Sequence, residues 1–294
     1  MSLEHPIVAV TGSSGAGTSS VRSAFEAIFR RQAITPVYIQ GDAFHRYSRA
    51  EMAEAIVAAQ AQGRTLSHFG PEGNLLDELQ ALFREYSETG QGWRRLYLHN
   101  AEEVAEYGGS VDEGEFTPWE RLPDGSDVLF YEGLHGGVVD AGIDVASHVD
   151  FLVGVTPIVN LEWIQKIHRD ANARGYRAED SVETIKRRMD DYVEYITPQF
   201  SRTDINFQRI PLVDTSNPFV AREVPTPDES LVAIRFGDAM KRCVDFPYLL
   251  AMITESWMSR PNTIVIPGGK LGFAMELILT PFIERLIRGE RIRD

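Results

Sequence analysis

Apolar residues follow two alternating rhythms along the 294-residue chain. Short apolar runs suited to buried strands occur at 7–10, 37–39, 128–131, 149–155, 210–213, 231–236 and 263–266. Between them, residues 19–31, 49–62, 74–86, 160–174, 181–195 and 271–288 carry helical spacing, as Val21, Phe25 and Ile28 do in the first. Spacing of three and four marks an amphipathic helix, whereas a short continuous run marks a strand covered on both faces. Pro281 is expected to kink or divide the last helix, since it lacks an N–H and crowds the preceding turn. The alternation predicts an α/β fold of three layers, with a largely parallel (mixed) central sheet and flanking helices. Residues 101–127 are acidic, with turns at Gly108-Gly109 and Pro123-Asp124-Gly125. They predict a surface excursion from a single domain spanning 1–294.

Candidate chemistry gathers where strands end. The first strand runs into Gly12-Ser13-Ser14-Gly15-Ala16-Gly17-Thr18-Ser19, a glycine-rich turn leading into a helix. Such a turn aims backbone N–H groups and a helix N-terminus at an anion. In the phosphate-loop pattern G-x-x-x-x-G-K-[ST] a lysine precedes the hydroxyl that takes magnesium. Here Thr18 fills the lysine slot, while Ser19 keeps the hydroxyl. Gly12, Ser13, Ser14, Gly15, Ala16, Gly17, Thr18, Ser19 and Ser20 therefore form the expected nucleotide cradle, with Ser19 at magnesium. The cation that normally sits beside the β- and γ-phosphates must come from elsewhere. A glycine-rich turn without ligand is the plainer alternative.

The second strand ends in Gly41-Asp42-Ala43-Phe44-His45-Arg46. Side chains at the carboxyl ends of parallel strands line the ligand crevice, so Asp42 can take a proton from an attacking hydroxyl. His45 and Arg49 follow at spacings that share a face in a helical turn, where they can anchor an anionic acceptor. An Asp cap with solvated basic neighbours is the alternative. The strand beginning at Val128 ends in Tyr131-Glu132-Gly133-Leu134-His135-Gly136, placing Glu132 where a carboxylate helps hold magnesium; a purely structural strand-end glutamate before a glycine turn is the alternative. Residues 160–180 form a lid-like helical segment. In it Lys166, Arg169 and Asp170 lie on one polar face, with Leu161, Ile164 and Ile167 inward. Cations on a closing flap supply the charge missing at Thr18; a solvated, salt-bridged helix is the bland reading. In Arg94-Arg95-Leu96-Tyr97-Leu98-His99, strand alternation puts Tyr97 and His99 on one face, for sugar binding or for packing.

Composition narrows the partners. A net charge of −14 argues against nucleic acid or an anionic membrane. Only four lysines occur, Lys166, Lys186, Lys241 and Lys270, so arginine carries most of the positive charge. With no apolar stretch long enough to span a bilayer and no basic, apolar leader, a soluble cytoplasmic protein is expected. Cys243 is the only cysteine, which excludes an intrachain disulfide.

Taken together, these residues resemble the bacterial, non-thiol-regulated members of the P-loop phosphoribulokinase/uridine kinase family. The likeness adds Thr203-Asp204-Ile205-Asn206-Phe207-Gln208-Arg209 and Val213-Asp214-Thr215-Ser216-Asn217-Pro218, in collinear order over most of the chain. The family pattern K-[LIVM]-x-R-D-x-x-x-R-G-x-[ST]-x-E fits from Lys166 to Glu179, with Arg177 in the Ser/Thr position. The resemblance implies a P-loop kinase fold and an enzyme that uses ATP and Mg2+ to phosphorylate D-ribulose 5-phosphate to ribulose 1,5-bisphosphate, a Calvin cycle step. It implies Asp42 as base, Glu132 at the metal, and His45, Arg49 and Arg174 at the sugar phosphate. Lys166 and Arg169 would bring charge to the reacting centre, supported by Asp170. It further implies a homo-oligomer, as large as an octamer, responding to NADH and AMP, with Arg31, Arg235 and Arg260 as the effector candidates. Two rivals stand beside this reading: a uridine-kinase-like small-metabolite kinase, and a nucleotide sensor without transfer activity.

Overall fold

The structure is a computed structural model. It describes residues 4–12, 18–156, 158–174, 177–221 and 223–292, with side chains for all of these but 18–20 and 172–174. In chain order the strands are β1 (Ile7–Thr11), β2 (Pro36–Gln40), β3 (Trp93–Arg94), β4 (Glu120–Arg121), β5 (Val128–Gly133), β6 (Val139–Asp140), β7 (Ile143–Asp144), β8 (Phe151–Val155), β9 (Ile205–Pro211), β10 (Ser230–Phe236), β11 (Trp257–Arg260) and β12 (Thr263–Pro267). The helices are α1 (Thr18–Arg31), α2 (Arg49–Ala61), α3 (Leu76–Thr89), α4 (Ala101–Glu106), α5 (Val159–Arg174), α6 (Ala178–Arg187), α7 (Met189–Asp191), α8 (Phe246–Met252) and α9 (Leu271–Ile287).

Among the described residues, eight strands form one sheet in the order β11-β12-β10-β9-β8-β1-β5-β2. The five from β9 to β2 run parallel, and β10, β12 and β11 extend the sheet antiparallel. β1 is buried throughout because both its faces are covered. Val8 and Val10 pack with Phe25 and Ile28 of α1 and with Met275 and Ile278 of α9. Ile7 and Ala9 pack on the other face with Leu79, Phe83 and Tyr86 of α3. Two apolar clusters on opposite faces of one sheet make the expected three layers. Local signals fix where helices begin and end. Ser48 and Glu51 close a capping box at the start of α2, and Gly90, at φ +68°, takes the left-handed position after α3.

The structure departs from the expectation in four places. β9 begins at Ile205 rather than 210, and Leu212 and Val213, taken for strand residues, are exposed. Asn206 hid the strand, because a buried asparagine breaks the apolar run. It is satisfied by donating to the Phe200 carbonyl at 3.1 Å and accepting from Thr156 Oγ1 at 3.0 Å. The single helix expected over 181–195 is broken at Arg188 (φ −92°, ψ 1°), which leaves α6, α7 and a π-helical turn over Tyr192–Ile196. α9 runs undivided with Pro281 inside it. β11 and α8 carried no periodic signal.

Residues 92–122 fold back on themselves as an irregular ribbon. β3 pairs with β4, and Tyr97 bridges Phe116. Leu98 N–H donates to Glu115 O at 3.0 Å, and Leu122 N–H to Gly92 O at 3.0 Å. Arg49 N–H reaches Gly114 O at 2.9 Å, tying the ribbon to the start of α2.

Candidate active site

The carboxyl ends of β1, β5 and β2 come together through register: Thr11 pairs with Gly133, and Gln40 with Glu132. Gly12 N–H donates to Gly133 O at 3.2 Å. A Cβ on Gly41 would stand 2.8 Å from the Gly133 Cα, and one on Gly133 would stand 2.7 Å from the Gly41 Cα. The two backbones touch because neither residue has a side chain. Above them opens a cleft lined by Gly12, Arg22, Gly41, Asp42, His99 and Glu132, among others. Residues 13–17 of the expected cradle, and the side chains of Thr18, Ser19 and Ser20, lie outside what is described.

Asp42 sits in a 3-10 turn, Gly41–Phe44, immediately after β2. Its Oδ1 is 3.5 Å from His45 Nε2 and its Oδ2 is 3.5 Å from His99 Nε2. Burial pushes His45 down to about 3, with further lowering by His135, His99 and Arg95. Its ring stacks on His68 at 3.9 Å and 25°, and burial likewise holds His68 well below the usual imidazole range. His135, whose Nε2 lies 2.9 Å from the Phe69 carbonyl, is pushed down to about 4 by burial. These rings are neutral near pH 7, so His45 offers Asp42 and an acceptor a polar contact rather than a charge.

This neutrality has a stability consequence. Both folded-state values lie below the unfolded reference of 6.5. As pH falls below about 6.5 the unfolded chain takes up protons that the folded chain refuses, so stability drops with pH. By pH 4.5 the loss from His45 and His135 is on the order of 3–5 kcal/mol. Urea unfolding between pH 7 and 4.5 reads it, and His135→Gln shallows the dependence.

Behind His99, Arg49 Nη2 donates to the His99 carbonyl at 2.7 Å and Nη1 pairs with Glu113 Oε1 at 2.6 Å. The Arg49–Glu113 bond raises the arginine's pKa. The pair is about half exposed, so its strength is modest and an arriving dianion can compete for Arg49. Tyr97 and His99 share a face as expected, with ring centroids 4.8 Å apart. Glu132 lies 3.9 Å from Arg22 Nη1. Mg2+ takes oxygen donors and keeps several waters, and the strand-end carboxylate of Glu132 is a donor of that kind. The Glu132 carboxylate, which lines the open cleft, therefore suits that ion by chemistry.

The lid-like segment contributes a second cluster. Leu161, Ile164 and Ile167 of α5 are buried, as the pattern required. Asp170, itself buried, accepts from Lys166 Nζ and from Ser181 Oγ at 3.4 Å, with Arg169 Nη2 at 3.5 Å. Burial and the neighbouring Arg188 push Lys166 down to about 8 against the raising effect of Asp170. Arg188 lies over the Phe69 ring at 4.7 Å, and burial pushes it to about 10. Lys166, Asp170, Arg187 and Arg188 line a cavity of about 330 Å³ whose wall includes His68. The His68–His45 stack thus joins this cluster to Asp42. The Arg174 side chain lies outside what is described. α5 is also tied to the 213–221 segment: Asn160 donates to Thr215 O at 2.9 Å and Trp163 stacks on Phe219 at 5.3 Å.

The three effector candidates divide. Arg235 and Arg260 both pair across Thr263, from β10 and β11, and so share a face of the sheet. Arg31 ends α1, on the layer covering the other face, and pairs with Glu276 of α9 at 2.8 Å. Sequence reasoning passed over Arg22, His68, Glu113 and Arg188. Arg22 and Arg188 sit within helical patterns and His68 and Glu113 within none, but no motif marks any of the four, which meet their partners only in the fold. Arg95 was visible only as a neighbour of Tyr97.

A nucleotide-cradle sequence, two carboxylates at the carboxyl edge of parallel strands and a cationic helix nearby define an ATP-dependent kinase of the P-loop kind. The chain belongs to the phosphoribulokinase / uridine kinase family, whose model matches residues 7–216. It is 57% identical over 288 residues to the chromosomal phosphoribulokinase of Cupriavidus necator, covering 98% of this chain and 97% of that one. Phosphoribulokinase 1 of Cereibacter sphaeroides is 55% identical over 293 residues, covering 99% and 100%. The solved phosphoribulokinase from Rhodobacter spheroides superposes with a TM-score of 0.89 at 53% identity, covering 98% of this chain and 99% of that chain. Among the described residues, no helix is long and apolar enough to cross a membrane.

Proposed function

We propose that this chain phosphorylates D-ribulose 5-phosphate with ATP, giving D-ribulose 1,5-bisphosphate in the Calvin cycle, and that Asp42 is the base. One observation carries the residue assignment: the Asp42 carboxylate stands between His45 and His99 on the strand edge that also bears Glu132 and the start of the cradle. The sugar's first hydroxyl approaches the γ-phosphoryl group in line, and Asp42 orients it and takes its proton. Transfer through a loose transition state gains most from positioning and charge. Glu132 and Ser19 would hold Mg2+, which when bound neutralises charge on the phosphates. Arg49, His45, Tyr97, His99 and Arg174 hold the sugar phosphate, and the 160–180 segment closes so that Lys166 and Arg169 reach the transferred group. Asp170 orients both cations.

We further read the chain as one cytoplasmic domain that assembles with its own copies and answers to NADH and AMP through Arg235 and Arg260, with Arg31 contributed from another layer. The uridine-kinase-like and sensor readings are not favoured, since relatives at this identity carry one name over nearly the whole chain. An ATP-dependent assay with ribulose 5-phosphate, scored by whether the product supports carboxylation, tests the activity; uridine and pantothenate are the control acceptors. Arg49→Gln is expected to raise KM for ribulose 5-phosphate about 10- to 100-fold, the worth of a charge-assisted contact, with KM for ATP nearly unchanged. Equal losses for both substrates would remove Arg49 from the acceptor site.

A further inference from the structure

We infer that Arg95 is a positioning residue that holds the Asp42 turn in its working orientation, an inference that rests on Asp42 being the base. The turn Gly41–Phe44 is only four residues long, and the chain leaves it in an extended conformation at His45 (φ −61°, ψ 143°). A helical turn that stops leaves its last carbonyls without N–H donors from a next turn. Here the last two carbonyls of the turn, and that of His45 just beyond it, find substitutes. Phe44 O accepts from Leu75 N–H at 2.7 Å. Ala43 O accepts from Arg95 Nε at 2.7 Å, and His45 O from Arg95 Nη2 at 2.6 Å. One planar guanidinium therefore ties the residue after Asp42 to the histidine that faces Asp42.

Arg95 is itself held in place. Its guanidinium lies over the Phe116 ring at 3.6 Å and over Trp119 at 4.9 Å, and Trp119 packs edge-on against Phe44 at 5.8 Å. The adjoining Leu96 N–H donates to Thr117 Oγ1 at 2.9 Å. Arg95 does not line the Asp42 cleft, and two of its nitrogens are committed to the turn. Direct contact with the acceptor's phosphate is thus not its role. A lysine offers a point charge and cannot span two carbonyls with a fixed fork.

The test is a double-mutant cycle. Arg95→Lys is expected to lower kcat about 30- to 100-fold, the cost of a reacting group displaced by about 1 Å, with KM for ATP within about twofold. In an Asp42→Asn background the same substitution costs less than about threefold, because the group it aims is already gone. Phe116→Leu, which keeps the fork and weakens its seat, follows the same non-additive pattern with a smaller loss and serves if Arg95→Lys fails to fold. An undiminished loss in the Asp42→Asn background, or normal kcat in Arg95→Lys, overturns the inference. Near-normal turnover of Asp42→Asn alone would instead remove the base assignment.

Discussion

Asp42→Asn is expected to lower kcat by about 10³- to 10⁴-fold while ATP binding stays within about twofold, the upper range for losing a positioned base. The substitution keeps size and planarity, and the Gly41–Phe44 turn is fixed by backbone contacts that the side chain does not make. What disappears is the negative charge facing His45 Nε2 and His99 Nε2 and the capacity to take the sugar's proton. Rapid-quench turnover with saturating substrates, alongside equilibrium binding of ATP, separates the two effects. Near-normal turnover would assign the proton to another group.

Lys166→Met comes next in size, at about 10²- to 10³-fold in kcat, typical of removing one donor from a developing anion. The loss carries a pH signature. With its pKa pushed down to about 8, Lys166 is an ammonium below that value and a neutral amine above it. If the cation is what the reaction uses, kcat of the unaltered enzyme falls as pH rises through about 8, and Lys166→Met lacks that limb. The sign for stability is opposite: a folded value below the ordinary 10.5 means stability rises with pH between about 8 and 10.5. The Lys166 contribution to stability and the kinetic limb therefore move in opposite directions, and unfolding followed over the same pH range separates the limb from loss of fold. Asp170 keeps Arg169 and Ser181 as neighbours in the variant.

Asp42, Glu132 and the Lys166–Asp170 face were legible in the chain because each follows from a short-range rule. Strand ends in a parallel sheet point at the crevice, and helical spacing gathers i, i+3 and i+4. The histidine stack was not, since His45 and His68 meet only after the loop preceding α3 has folded back. Arg95 was hidden for the same reason: its partners are carbonyls, which have no residue signature. β9 was misplaced because a satisfied, buried Asn206 looks in sequence like a surface residue. The 181–195 helix was overextended because its break at Arg188 leaves the helical spacing intact on both sides.

The 92–122 ribbon separates two inheritances within one pocket. Gly12, Gly41, Asp42 and Glu132 come from strand ends and glycine backbones that the sheet itself needs. His99, Tyr97, Glu113 and the aromatic seat of Arg95 all come from a peripheral segment whose removal would leave β1, β5 and β2 paired as they are. Exchanging that segment would therefore alter one wall of the cleft and the support of the Asp42 turn together, while the strand edge beneath them stayed as it is.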